Sequence, residues 1–148
     1  DGIRDLVRSR GLGDVYKRQT YNILDKFMNE KSVFKQSIDL QLAAKEIGLD
    51  WLEISGILSK IHEETIEVED AIQKKSSEHT KEELGDLLFT ILCLIRHLDY
   101  SPEEILEQAN MKFKKRYEMV LDILNERGKK FADADEMMDI WQTIKKQY

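Results

Sequence analysis

Between residues 60 and 72 the chain reads KIHEETIEVEDAI, and five of those thirteen positions are carboxylates. Apolar residues at Ile57, Ile61, Val68 and Ala71 recur by four, seven and three, the spacing of one helix face. The missing member of that stripe is position 64, and it is Glu64. Glu67 lies one turn later and Lys60 one turn earlier, so all three share a side. Taken alone, this reads as a charged flank with an ordinary i,i+4 ion pair between Lys60 and Glu64.

A second group tilts the balance. EELGD, residues 82–86, sets Glu83 and Asp86 three apart, and LLFTILCLI follows at once. A carboxylate at that apolar border is partly desolvated, which costs several kcal/mol if it stays unpaired. Gly85 beside it is a weak helix former, about 1 kcal/mol worse than Ala, and a close backbone approach would explain it. Four carboxylates, ExxE on one helix and ExxD on the next, converge only around something cationic. Oxygen donors alone suit a hard ion, Mg²⁺ or Mn²⁺, and not zinc. None of His62, His79 and His97 forms an E-x-x-H pair with these carboxylates, against a di-iron bundle. The chain has no Gly-rich phosphate loop, which excludes a P-loop enzyme.

The elements that must position these groups are helical. The chain of 148 residues, 41% apolar and 35% charged, is long enough for one domain with a real core. One Pro and few Val, Thr or Gly favour helices over strands. Five segments follow: residues 20–47, interrupted near 29–32 and stopped by Gly48; 51–75, after Asp50; 81–98, after a polar SSEHT link; 101–127; and 133 to the end. In the fourth, Ser101 caps, Pro102 takes the first turn and Glu104 completes a capping box. Residues 84–98 are apolar almost all round, which places that helix at the centre of a bundle. One small domain offers too few helices to cover it, so a homodimer is expected.

Residues 1–19, DGIRDLVRSRGLGDVYKRQ, show no sustained period and hold three of the seven glycines. They match the translation of a transposase-type sequencing adaptor, and the expectation is a non-native leader preceding a domain over residues 20–148. A coding sequence with other codons there would overturn this. Of the 23 basic and 29 acidic residues, five and three fall in the leader, leaving 18 and 26 and a net charge of −8. Such a body suits divalent cations and not duplex nucleic acid. No apolar run is long enough to span a membrane, and no signal-peptide pattern is present. Cys93, the single cysteine, reads as a buried apolar residue, and a reducing cytoplasmic setting fits it.

Together, KIHEETIEVEDAI and EELGDLLFTILCLIRHL resemble the MazG family of nucleoside triphosphate pyrophosphohydrolases, whose signature is EExxE, a gap, then EExxD. Here fifteen residues separate Glu67 from Glu83. Downstream, QANMKFKKRY (108–117) is similar to the family's AN-x-KF-x-x-RF segment, MMDIWQTIKKQ to its closing W-x-x-x-K helix, and GLDW (48–51) to its lead-in. Tyr117 replaces the usual Phe, and His79 stands where a basic residue often precedes the second box. The resemblance implies an all-α pyrophosphohydrolase fold completed by dimerisation, and cleavage of a nucleoside triphosphate to monophosphate and pyrophosphate. It implies that Glu64, Glu67, Glu83 and Asp86 hold Mg²⁺, with Glu63 or Glu82 as general base. It further implies nucleotide and phosphate contacts from Lys60, Lys112, Arg116, Trp141 and Lys145. On spacing alone, Lys112 and Arg116 could equally be a basic flank and Trp141 a core residue. Two other readings stand beside this one. One is a phosphoribosyl-ATP pyrophosphohydrolase-like enzyme; the other is a catalytically silent helical dimer that binds a nucleotide or a protein.

Overall fold

A computed structural model describes the backbone of residues 2–147 and the side chains of residues 15–147. Among the described residues there are six helices and no strand, an all-α chain. They are α1 (Gly2–Met28), α2 (Val33–Glu46), α3 (Ile54–Gln73), α4 (Ser77–His97), α5 (Pro102–Glu126) and α6 (Ala134–Gln147). The chain divides into two compact units, residues 1–100 and 101–148.

In the first unit the expected interruption near 29–32 separates α1 from α2. Ser32 caps α2 by accepting from the Lys35 N–H at 3.3 Å. Gly48 ends it with φ +86°, a left-handed conformation that a Cβ disfavours. The Gly48 and Leu49 N–H groups close the turn onto the carbonyls of Lys45 and Ala44, each at 2.9 Å. Residues 51–53, expected to be helical, instead form a loop before Ile54. The SSEHT segment is not a link: Ser76 is the cap of α4, accepting from the His79 N–H at 3.4 Å, and the helix starts at Ser77. Serine serves both linkers and caps, and here capping wins. A three-residue connection therefore folds α4 back along α3, and α2 packs on α4.

Within one chain the apolar surface of α4 is only partly covered. Leu92 and Cys93 are buried, yet Leu84 is 49% exposed, Leu88 50% and Phe89 45%. Too few helices surround α4 within one chain, and each half-exposed Leu forgoes roughly 1 kcal/mol of burial.

In the second unit Ser101 caps α5, accepting from the Glu104 N–H at 3.4 Å, with Pro102 in the first turn. Gly128, at φ +65°, follows its end. Asp133 caps α6, its Oδ1 accepting from the Glu136 N–H at 2.9 Å. The core of this hairpin is Val120, Leu124, Ala132, Ile140 and Ile144, with Met119, Ile123, Met137 and Trp141 packed round it.

Candidate metal centre

Pairing α3 with α4 brings the two carboxylate boxes together. Oxygens of Glu64, Glu83 and Asp86 lie within 4.8 Å of one another. Glu64 is 4% exposed and Glu83 6%, whereas Asp86 is open to solvent. Burial, then the neighbouring Glu67 carboxylate, raises the Glu83 carboxyl above its ordinary range. Glu67, exposed to solvent, thus stands beside Glu83.

The cations present do not match this charge. Lys60 Nζ is 2.7 Å from Glu64 and 2.9 Å from Glu63, and those two carboxylates, Glu64 first, raise its ammonium. His79 Nδ1 is 3.4 Å from Glu83 and 3.7 Å from Glu82, and Glu82 is otherwise open to solvent. The ordinary i,i+4 pair between Lys60 and Glu64 is therefore real, but its acidic member is buried. A divalent ion fits the residues present. The donors are all oxygen, and their spread is close to the width of an octahedral Mg²⁺ shell, whose opposite oxygens are about 4.2 Å apart. A Cβ built on Gly85 meets nothing within 4 Å, so the close approach expected there is not made among the described residues.

A second polar group, not anticipated from sequence, joins α2, the α2–α3 loop and the last turn of α4. Arg96 donates to Asp50 through Nη2 at 2.7 Å and Nη1 at 3.2 Å, and through Nε to Gln41 at 2.9 Å. Gln41, itself buried, donates to the Phe89 carbonyl at 3.3 Å. Beside them a cavity of about 450 Å³ is lined by Leu40, Leu49, Trp51, Phe89 and Cys93 among others. Donor atoms of Asp50, Cys93 and His97 also fall within 4.8 Å of each other. The Arg96 guanidinium already pairs with two of the three, Asp50 and, at 3.5 Å, Cys93 Sγ. Burial pushes the Cys93 thiol up, so it remains a thiol. The signal in the sequence was an Arg and a His ending an otherwise apolar helix, but its partner Asp50 is 46 residues away.

In the second unit, Arg116 lies over the Trp141 ring at 5.9 Å and Phe113 packs on Trp141 at 5.8 Å. Trp141 is half-buried on the core, so the packing role weighed for it holds, while one face meets a cation. Arg116 Nε is buried and has no hydrogen-bond partner among the described residues. Lys112 is exposed on α5 beside Gln108 and Met111, and Lys145 is exposed in the last turn of α6.

The model of the MazG nucleotide pyrophosphohydrolase domain matches residues 53–121, which include both carboxylate boxes, Lys112 and Arg116 but not Trp141 or Lys145. The chain is 30% identical over 135 residues to the nucleoside triphosphate pyrophosphohydrolase of Escherichia coli K12, covering 88% of this chain and 51% of the relative. It is 32% identical over 108 residues to the nucleoside triphosphate pyrophosphohydrolase/pyrophosphatase MazG of Thermotoga maritima, covering 72% of this chain and 41% of that protein. A third relative, the uncharacterized protein YabN of Bacillus subtilis, is 33% identical over 67 residues, covering 44% and 14%. The chain spans about half the length, or less, of the curated relatives it matches.

Proposed function

We propose that the chain, whose residues 53–121 match the MazG nucleotide pyrophosphohydrolase domain, hydrolyses nucleoside triphosphates to monophosphate and pyrophosphate with Mg²⁺ as cofactor. The observation that carries this reading is the burial of Glu64 and Glu83, with Asp86 alongside, in excess of the cations around them. Glu64, Glu67, Glu83 and Asp86 would hold the ion. Bound there, Mg²⁺ supplies neutralisation of the phosphates and activation of the attacking water. Water oxygen bonds to the α-phosphorus, the bond to the bridging oxygen breaks, and pyrophosphate leaves. Glu63 or Glu82 takes the proton the water gives up. Lys60 shares its charge between Glu63 and Glu64 and can turn to a phosphate oxygen. Lys112, Arg116 and Lys145 supply the remaining positive charge, and Trp141 a flat surface for the nucleoside.

The exposed apolar face of α4 supports a homodimer as the working form, and the single free Cys93 accords with a cytoplasmic setting. To test the activity, the chain is incubated with mixed nucleoside triphosphates and Mg²⁺ and the products are separated. Monophosphate plus pyrophosphate, lost in chelator and in Glu64→Gln and Asp86→Asn, is the expected result. Orthophosphate alone would mean cleavage at a different bond. No turnover from a folded, Mg²⁺-binding chain would favour the silent binding dimer instead.

A further inference from the structure

Glu64 and Glu83 stand in the same local arrangement. Four residues before each buried carboxylate is a basic side chain, Lys60 or His79. Immediately before each is an exposed carboxylate, Glu63 or Glu82, within reach of that same base. The two bases differ in charge. Lys60 Nζ is 2.7 Å from Glu64 and 2.9 Å from Glu63, and an ammonium is charged throughout the neutral range. His79 Nδ1 is farther from its partner, 3.4 Å from Glu83, and an exposed imidazole carries no permanent charge. Lys60 therefore neutralises a carboxylate that burial alone would disfavour as an anion.

We infer that Lys60 is a placeholder for the metal, pairing with Glu64 in the ion-free chain and withdrawing to Glu63 when a divalent cation enters. This rests on the proposed metal centre and adds a step that precedes the nucleotide. An ion about 2.1 Å from a Glu64 oxygen would stand within a few ångströms of the ammonium. Their repulsion is weakly screened, because Glu64 and Glu83 are shielded from solvent. Moving the ion to the other oxygen of the same carboxylate does not remove it. Glu63 gives the lysine somewhere to go. It is exposed, already bonded to Nζ and adjacent on α3, so releasing Glu64 takes a side-chain rotation and no backbone change. Freed from Glu64, the ammonium regains a donor for a phosphate oxygen. The centre thus binds its ion against an internal competitor, and its affinity is set by the exchange of one cation for another.

The test titrates the full chain with Mg²⁺ alone, without nucleotide, by calorimetry at pH 8. Lys60→Met is expected to bind Mg²⁺ about fivefold more tightly than the unsubstituted chain, or better, fivefold being the lower end of ordinary coupling between sites. Equal or weaker binding overturns the placeholder. Glu63→Gln removes the lysine's second partner, so it is expected to weaken Mg²⁺ in the unsubstituted background and to have little effect beside Lys60→Met. An equal loss in both backgrounds makes Glu63 a ligand and overturns the hand-over. Glu64→Gln separates this from the metal centre. Mg²⁺ binding that survives it, or no binding by the unsubstituted chain, overturns the centre and the placeholder together. Binding lost in Glu64→Gln but unchanged in Lys60→Met overturns the placeholder alone. Should Lys60→Met fail to fold by circular dichroism, NMR of the Lys60 ammonium in the unsubstituted chain decides. Protons that exchange faster with water at Mg²⁺ saturation support the withdrawal, and unchanged protection overturns it.

Discussion

Burial of Glu83 beside Glu67 makes the folded, metal-free chain bind a proton there more tightly than the unfolded chain does. The stability tied to this group is present below the unfolded value of about 4.3 and is lost as the pH rises through the higher folded value. At neutral pH Glu83→Gln should therefore raise the melting temperature in chelator while removing the rise that Mg²⁺ gives. That rise corresponds to about 2.7 kcal/mol in the unsubstituted chain at a hundredfold excess over Kd. Thermal melts with and without Mg²⁺ check this, and equal Mg²⁺ shifts in both chains would count against Glu83 as a ligand. Asp50 has the opposite sign, because the Arg96 hydrogen bonds hold its carboxyl below the usual range. Its contribution is complete above about pH 3.9 and disappears as the pH falls through the lower folded value. Asp50→Asn leaves the Arg96 guanidinium without its charge partner and should cost up to about 3 kcal/mol at neutral pH. It should also flatten the acid limb of the pH–stability curve, measured by denaturant melts between pH 2.5 and 7. The two residues differ in how far sequence could find them. Glu64 and Glu83 stand at helical spacing within short, recognisable boxes. Asp50 and Arg96 meet only because α2, the loop and α4 fold together, which no local period encodes.

At the scale of the helices, glycine separates two kinds of position. Gly48 is at φ +86°, and Gly48→Ala should destabilise by about 1 kcal/mol through that conformation alone. Gly85 is inside α4 with nothing within 4 Å of an added Cβ, so Gly85→Ala should stabilise by roughly 0.5–1 kcal/mol. If a phosphate or a second chain approaches the Gly85 backbone, turnover falls even as the melting temperature climbs. Melts and rates on the same two variants separate these outcomes. Helix starts were readable at Ser101 and Asp133, where the side chain bonds the N–H three residues on. At Ser76 the same chemistry was present but sat inside a polar run, so the helix was expected four residues late. Glu53 makes no side-chain cap, and nothing in its type announces that α3 begins after it.

For the molecule as a whole, the apolar content of α4 gave its character but not what covers it. A sequence of one chain counts apolar residues without saying how many helices are available to bury them. Leu84, Leu88 and Phe89 lie exposed here, and a homodimer closing over them predicts roughly twice the 17.4 kDa chain mass in solution. Light scattering after gel filtration measures it. Leu88→Glu should shift the mass towards the single chain and leave helical content unchanged, whereas a single-chain mass for the unsubstituted protein would exclude the homodimer. The all-α architecture itself was legible because composition and spacing agree over the segments read from residue 20 onwards. Cys93 adds a practical property to this picture. It is the one sulfhydryl in the chain, it is buried, and its burial keeps it from ionising. An alkylating reagent can therefore modify the native protein only during excursions that open the packing of α4. The rate at which mass is added then counts those openings at a single address, without an engineered label.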